Sequence, residues 1–549
     1  MKVYYHIKST IRASQFIQIE LFIYLESPQK LVLQLPSWRP GRYQIADYAK
    51  NIRSFSVTDA QDSPIPFEKS QKNRWEISVQ NPTTIHVRYD YYAAKMDAGS
   101  CWVDETQIYL NFINCCLEVL DFPQLTYELD VEIPEEFQSM STLPSDSNGQ
   151  LIANSFQQLA DSTFLAASQL TQWKYEVGSV EFHCWFKGEI HFDQAKFLND
   201  FLKFSQRQIE DFGEFPEQEY HFIFLLLPFP HYHGVEHKRG TVITFGPADS
   251  LAEPSQMEEL LGVSSHELYH AWNVCRIRPN ELLPYDFSQE TYTRAGWILE
   301  GITTYLGDLY LLKSGGYEPE VYLKHLSNSI NRASRNLGWQ NYSILESSFD
   351  LWLDGYENGI PERKVNIYAH GAVIALCLDI ILLKFKQSSL TKIMREAWQE
   401  FGKPNLGYSA DSFWNIILRS MENQSELDLF YKSFIDGKSN IFHKLEQLLP
   451  VIGLGLVQDL ESNPLESKLG IVTLKNKIIK IHPESPTYRR LMIGDEIYYN
   501  LAEKSIVIQG VQSDGNEFSF IFPLGEEVYF PTYSLKLISK IGLREKWMS

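Results

Sequence analysis

The 549 residues predict a multidomain α+β protein, and three observations carry the prediction. Length comes first: a single hydrophobic core stops growing at roughly 250–300 residues, so a chain of this size divides. Composition comes second: 44% hydrophobic and 14% aromatic residues supply packed cores and exclude a disordered chain. The third is a change of period along the chain. Two-residue alternation at the start gives way to helical spacing, and short strands return at the end.

Residues 1–170 read as an amino-terminal antiparallel β domain. Segments 16–25, 30–35 and 84–92 alternate apolar and polar residues. Turn signals at Pro40-Gly41, 59–63 and Asn148-Gly149 separate such runs. Residues 171–450 form a second expected unit. Segment 191–212 has helical spacing, 219–228 reads as a buried strand, and 257–275 as one amphipathic helix with apolar support from Leu260, Leu261, Val263, Leu268, Ala271 and Trp272. Helices are expected at 368–386, 390–402, 411–423 and 425–436. After Pro450 the short strands 470–474, 477–481, 495–499 and 518–522 mark a β-rich third unit, 451–549.

Net charge is −20, from 69 acidic and 49 basic residues. No basic stripe offsets it, which argues against a nucleic-acid partner and mildly favours cationic ligands such as peptide amino termini. The first 26 residues alternate like a strand and hold no apolar signal core. The best apolar run, 372–383, is short and contains Asp379, so no membrane span is expected. Cysteines 101, 115, 116, 184, 275 and 377 form no C-x-x-C pair. Reduced thiols of a cytoplasmic protein are the simpler expectation.

The densest chemistry is His266-Glu267-Leu268-Tyr269-His270, an H-E-x-x-H run. On a helix, residues four apart lie about 40° apart on the wheel, so both imidazoles reach one ion. Glu267 then faces a water on that ion, and zinc is the expected metal. A third ligand is required. Glu290 and Glu300 compete, and Glu300 is preferred: it sits on an apolar helix where a carboxylate needs a partner, and it shares a face with Thr304 and Asp308. Tyr368, before the helix at 368–386, is a candidate donor to an oxyanion. Segment 231–245 carries three histidines and Glu236. A second metal site, a substrate edge with Glu236 facing a cationic group, and a plain polar loop are all open readings of it.

Six segments together resemble the PDZ-bearing glycyl aminopeptidase family of zinc peptidases, of the gluzincin type. They are LPSWRPGRYQIADYAKNI (35–52), HGVEHKRGT (233–241), HELYHAWNVCRIRP (266–279), WILEGITTYLGDLYLL (297–312), YAHGAVIALCLDI (368–380) and SPTYRRLMIGDEIYYN (485–500). They occur in family order over nearly the whole chain. The resemblance implies a thermolysin-like catalytic domain over 171–450 and a PDZ-like domain over 451–549. It implies His266, His270 and Glu300 as zinc ligands, Glu267 as general base, Tyr368 at the oxyanion, and Glu236 on the substrate's α-amine. It implies removal of amino-terminal glycine, and some alanine, from peptides with a free amino terminus. The alternatives are a zinc endopeptidase with Glu236 structural, or a silent scaffold binding peptide tails. His370 replaces a usual lysine and Arg490 a usual small residue. The stretch 468–471 is a candidate carboxylate-binding loop in the third unit.

Overall fold

The computed structural model describes residues 1–355, 359–385, 388–422, 424–459, 463–538 and 542–548. The alternation of the first 170 residues becomes three sheets of six, four and four strands. Phe16–Leu25 turns every second side chain inward, so Ile17, Ile19, Leu21 and Ile23 are fully buried. One expectation is corrected. The domain is not wholly antiparallel, because Lys2–Lys8 pairs in parallel with Tyr127–Val131. Alternation reports which face is buried, not strand direction. Here a chain crossover of more than a hundred residues sets the direction, and buried Tyr5 secures it. Its hydroxyl donates to the Leu117 carbonyl (2.7 Å) and accepts from the Leu117 N–H (2.9 Å).

Segment 35–45 leaves this domain. Trp38 and Tyr43 are buried in the core of the second unit, and the Trp38 indole N–H donates to the Asp286 carbonyl (2.7 Å). The Pro40-Gly41 turn thus lies at the inter-domain seam. Losing the Trp38 side chain should cost about 3–5 kcal/mol.

The second unit is built on a five-stranded sheet. Its spatial order is Thr171–Val177, Val180–Lys187, Glu219–Leu226, Gly240–Gly246 and His231–His237. Both faces are covered, which explains the unbroken apolar run of Glu219–Leu226. Phe182, Phe222, Phe224 and Phe245 pack under the helices. Ile223, Leu225, Val235 and Val242 pack on Tyr109, Met140 and Leu165 of the first domain. The polar-loop reading of 231–245 is corrected: His231–His237 is a strand, paired on one side only, at the sheet's edge.

The helical region follows. Pro254–Tyr269 begins with Pro at its first turn, where a missing N–H costs nothing. Ala369–Lys384 is apolar all round and runs through the centre of the core. Its Asp379 is accounted for. Tyr305 Oη donates to Asp379 Oδ2 (2.6 Å), and the Leu390 N–H donates to Oδ1 (2.7 Å). The carboxy-terminal helix Gly542–Met548 returns here, and Trp547 Nε1 donates to Tyr305 Oη (2.7 Å). The segments expected at 390–402 and 425–436 each begin as α-helix and end as a π-turn, Trp398–Gly402 and Tyr431–Ile435. The expected ends at Lys386 and Asn423 lie outside the described residues.

Past Gly453, a ribbon of Leu454–Asp459 and Thr532–Leu537 docks on helix Pro319–Ser334 through paired bonds between Asn331 and Tyr533 (2.9 and 2.7 Å). Beyond it lies a five-stranded antiparallel sheet with its own core of Leu469, Ile471, Ile478, Ile506 and Ile508. Strand Ser505–Val511 of this sheet escaped the sequence reading. The loop expected at 468–471 is instead the end of helix Pro464–Leu469, its left-handed Gly470 cap, and the start of the next strand.

Candidate active site

Three elements converge on one cleft of about 860 Å³. The helix Pro254–Tyr269 presents His266 and Glu267, and His270 is its carboxy-terminal cap. The predicted helix 257–275 is therefore shorter. The chain turns at His270 because the next residues tie the site together. The His270 Nδ1 lies 2.8 Å from the Asn273 carbonyl. A carbonyl only accepts, so Nδ1 carries a proton and Nε2 is the nitrogen left to face a ligand.

Glu300 lies not on a regular α-helix but in a π-turn, Trp297–Ile302, that leads into helix Thr303–Ser314. The wide turn frees carbonyls that a regular helix would bond. Asn273 Nδ2 collects them, donating to Ile298 O (2.8 Å), Leu299 O (3.4 Å) and Thr303 Oγ1 (2.9 Å). Behind the turn the backbones touch: a Cβ on Gly301 would stand 2.5 Å from the Gly371 Cα. Glu300 is 2% exposed, and the Tyr43 hydroxyl from the first domain hydrogen-bonds to it.

The resulting geometry is compact. His266 Nε2 and His270 Nε2 are 3.0 Å apart. Glu300 Oε2 is 3.5 Å from His270 Nε2 and 3.8 Å from His266 Nε2. Ligands at about 2.0–2.1 Å around a tetrahedral zinc are separated by roughly 3.3 Å, so this donor set fits the ion. Two imidazole nitrogens this close call for a shared positive charge between them, a proton or a metal cation. Glu267 and Glu236 sit beside it, with His270 and these two carboxylates offering atoms within 4.8 Å of one another. Glu267 Oε2 and Glu236 Oε1 are buried without any hydrogen-bond partner among the described residues. Such orphaned acceptors are costly unless a ligand satisfies them.

Electrostatics agree with that reading. Burial, reinforced by the Glu236 and Glu300 charges, raises the Glu267 carboxyl well above the ordinary range. Burial raises Glu300 too, against the hydrogen bonds from His270 and Tyr43. Burial and the charge on neighbouring His270 hold His266 neutral, while Glu300, Glu236 and Glu267 outweigh burial and raise His270 to about 10. Three carboxylates crowd two imidazoles, an arrangement that a divalent cation relieves.

Glu236 stands on the edge strand His231–His237. Two glycines allow the close approach around it. A Cβ on Gly41 would lie 2.4 Å from Glu236 Oε2, and one on Gly234 would lie 2.2 Å from Glu267 Oε1. Tyr368, the amino-terminal cap of Ala369–Lys384, lines the same cleft. His370 does not: it is buried beside Phe442, and burial lowers it to about 4.

The structure separates some candidates. Glu290 is exposed and joins no metal-spaced cluster among the described residues. His231 and His233 line the cleft, whereas His237 pairs with Asp161 (3.6 Å); none joins a His-rich cluster. Another group, His183, Glu219 and His221, is close enough to hold an ion. There Trp185 Nε1 donates to His221 Nδ1 (3.2 Å), which leaves the proton on Nε2 and makes it a poor ligand.

An H-E-x-x-H pair, a distant buried glutamate and a carboxylate-lined cleft define a metal-dependent hydrolase class. Two family models place the chain within it. The Peptidase M61 N-terminal domain matches residues 4–168, and the M61 glycyl aminopeptidase matches residues 259–374. The chain belongs to the M61 family, and it is a peptidase. The whole chain also matches a crystal structure of an aminopeptidase N family protein from Idiomarina loihiensis, with a TM-score of 0.89, 24% identity and 100% coverage of both chains. An M1 zinc metallopeptidase from Deinococcus radiodurans has a TM-score of 0.48 and 12% identity over 80% of this chain and 94% of that one. No curated protein matches the chain. No helix among the described residues is long and apolar enough to cross a membrane.

Proposed function

We propose that the protein is a zinc aminopeptidase that releases glycine, and less readily alanine, from peptides with a free amino terminus. The observation that carries the reading is Glu236. A buried carboxylate with an unpartnered oxygen, beside Glu267 and His270, is more than metal-assisted hydrolysis needs. A substrate ammonium would satisfy it.

His266 Nε2, His270 Nε2 and Glu300 would hold the zinc, which when bound supplies Lewis acidity to the scissile carbonyl and the attacking water. Glu267 removes the water proton and then delivers it to the leaving amine. Its raised pKa suits an acid–base group working near neutrality. Tyr368 donates its hydroxyl hydrogen to the developing oxyanion. Glu236 pairs with the α-ammonium and sets the register, so that only the first peptide bond reaches the chemistry. The glycine preference rests on family likeness, and the thermolysin-like description on the sheet, helix and ligand arrangement of 171–450. For 451–549 a PDZ-like reading rests on 485–500, without assigned recognition of peptide tails.

A panel of glycine, alanine and leucine anilides, with acetylated counterparts, tests the proposal. Release should need a free amine and fall from glycine to leucine. Glu236→Gln should raise KM for free-amine substrates far more than for acetylated ones. Efficient cleavage of acetylated peptides would instead favour an endopeptidase.

A further inference from the structure

The cleft is much longer than a glycine requires, and its far end has a chemical character of its own. Along the motif helix, Gly262 and Glu259 follow His266 at one and two turns towards the amino terminus, and both line the cleft. Along the facing helix, Thr304 and Asp308 follow Glu300 and line it too. Eight residues of helix carry Asp308 about 12 Å beyond Glu300. Gly262 keeps the approach open, since an added Cβ there would stand 3.0 Å from the Tyr317 hydroxyl and 3.6 Å from Asp308 Oδ1.

Asp308 is half-buried and makes no hydrogen bond or ion pair with any described residue. Burial, with the Glu259 charge beside it, pushes its carboxyl up to about 7. The neighbours are engaged elsewhere or stand off. The Tyr317 hydroxyl donates to the Glu258 carbonyl. His325 lies 3.8 Å from Glu258 and 3.9 Å from Glu259. Arg332 is exposed at the rim and forms no ion pair with either acid.

The edge strand supplies direction. It runs from Tyr232 to Glu236, and Tyr232, Gly234 and Glu236 share one face. A peptide whose ammonium sits at Glu236 and whose chain runs towards Tyr232 is antiparallel to this strand and can use its unpaired edge. Its third residue then lies roughly 7 Å past the first. A lysine or arginine side chain adds roughly 6 Å. The charges of Glu259 and Asp308 both bear on the Tyr232 hydroxyl, so the Tyr232 end of this strand is the end beside Asp308.

Resting on the aminopeptidase reading above, we infer that Asp308, assisted by Glu259, is a specificity-determining subsite for a lysine or arginine side chain on the third residue of the substrate, two positions past the anchored amine. The cation would give Asp308 the partner that the protein withholds.

The test measures kcat/KM of the zinc-loaded full chain on Gly-Ala-Lys-Ala, Gly-Ala-Gln-Ala and Gly-Ala-Glu-Ala amides. Glycine anilide serves as a substrate too short to reach Asp308. The expected order is Lys, Gln, Glu, with at least tenfold between the ends. Asp308→Asn should bring the ratio close to one, and Asp308→Lys should reverse it. Glu259→Gln, on the more exposed wall, should shrink the ratio and keeps the ranking testable independently of how the Asp308 variants fold. Equal rates on the three peptides, with the anilide still cleaved, would overturn the subsite and leave the aminopeptidase standing. Failure on the anilide and on every peptide would overturn both. Preference for free-acid over amide tripeptides, lost in Arg332→Ala, would assign the lobe to a chain-terminal carboxylate and overturn the cation subsite.

Discussion

Replacing Gly234 by alanine presses directly on the proposed base. The new Cβ would stand 2.2 Å from Glu267 Oε1, 2.7 Å from Cδ and 2.9 Å from Cγ. Ordinary contact begins near 3.4 Å, so the carboxylate must retreat by about 1 Å. It has little room to do so, because Glu267 is 5% exposed and its other oxygen is sealed from solvent. A misplacement of about 1 Å in a reacting group costs on the order of 10²-fold in rate. The backbone, by contrast, should accept the change. Gly234 lies in a strand without a left-handed φ, so alanine adds no strain and narrows the unfolded ensemble, an effect of about 0.4–1 kcal/mol in favour of folding. Crowding the buried carboxylate costs about 1–3 kcal/mol, so the expected variant melts somewhat below the parent, binds one zinc, and loses about 10²-fold in kcat for glycine release. Steady-state kinetics on glycine anilide, with metal analysis on the same sample, reads all three. A variant retaining a third or more of the parent kcat would refute the placement of Glu267 as base.

Other outcomes follow from neighbouring contacts. Gly371→Ala puts a Cβ 2.8 Å from the Gly301 Cα; overpacking of this kind costs about 1–3 kcal/mol, and urea unfolding should show it together with weaker zinc retention. Asn273→Ala removes the donor shared by Ile298 O, Leu299 O and Thr303 Oγ1. Support of this type is worth about 10–100-fold in metal affinity, readable by chelator competition. His370 has a folded pKa of about 4, held below the ordinary 6.5 by burial. As pH falls the unfolded chain binds the proton first, so this contribution is complete above pH 6.5 and is lost down to 4. His370→Leu should flatten that dependence by about 2–3 kcal/mol between pH 7 and 4.5 in denaturant titrations; an unchanged slope would mean that His370 is hydrated.

Much of this architecture could be read from residue order, and the gaps have physical causes. Strand Phe16–Leu25 and helix Ala369–Lys384 announce themselves through periods of two and through all-round apolarity, which are local signals. The π-turn at Glu300 has no such signal. It exists because Asn273, from another element, accepts the burden of its freed carbonyls. Tyr43 reaches Glu300 from a different domain, and no local pattern connects positions 43 and 300. Gly234 looks like any strand glycine until the carboxylate opposite it is placed. Alternation likewise cannot tell that Lys2–Lys8 runs parallel to Tyr127–Val131. What the sequence carried well was chemistry concentrated within one or two helical turns. What it carried poorly was support arriving across the fold.

The most direct measurement is glycine release by the purified protein before chelation, after chelation, and after zinc add-back, with metal content determined at each stage and Glu300→Ala run in parallel. The account predicts one zinc per chain in the parent, activity that disappears and returns with the metal, and a variant that holds almost none. Full activity in the metal-free parent, or one firmly held zinc in Glu300→Ala, would contradict it.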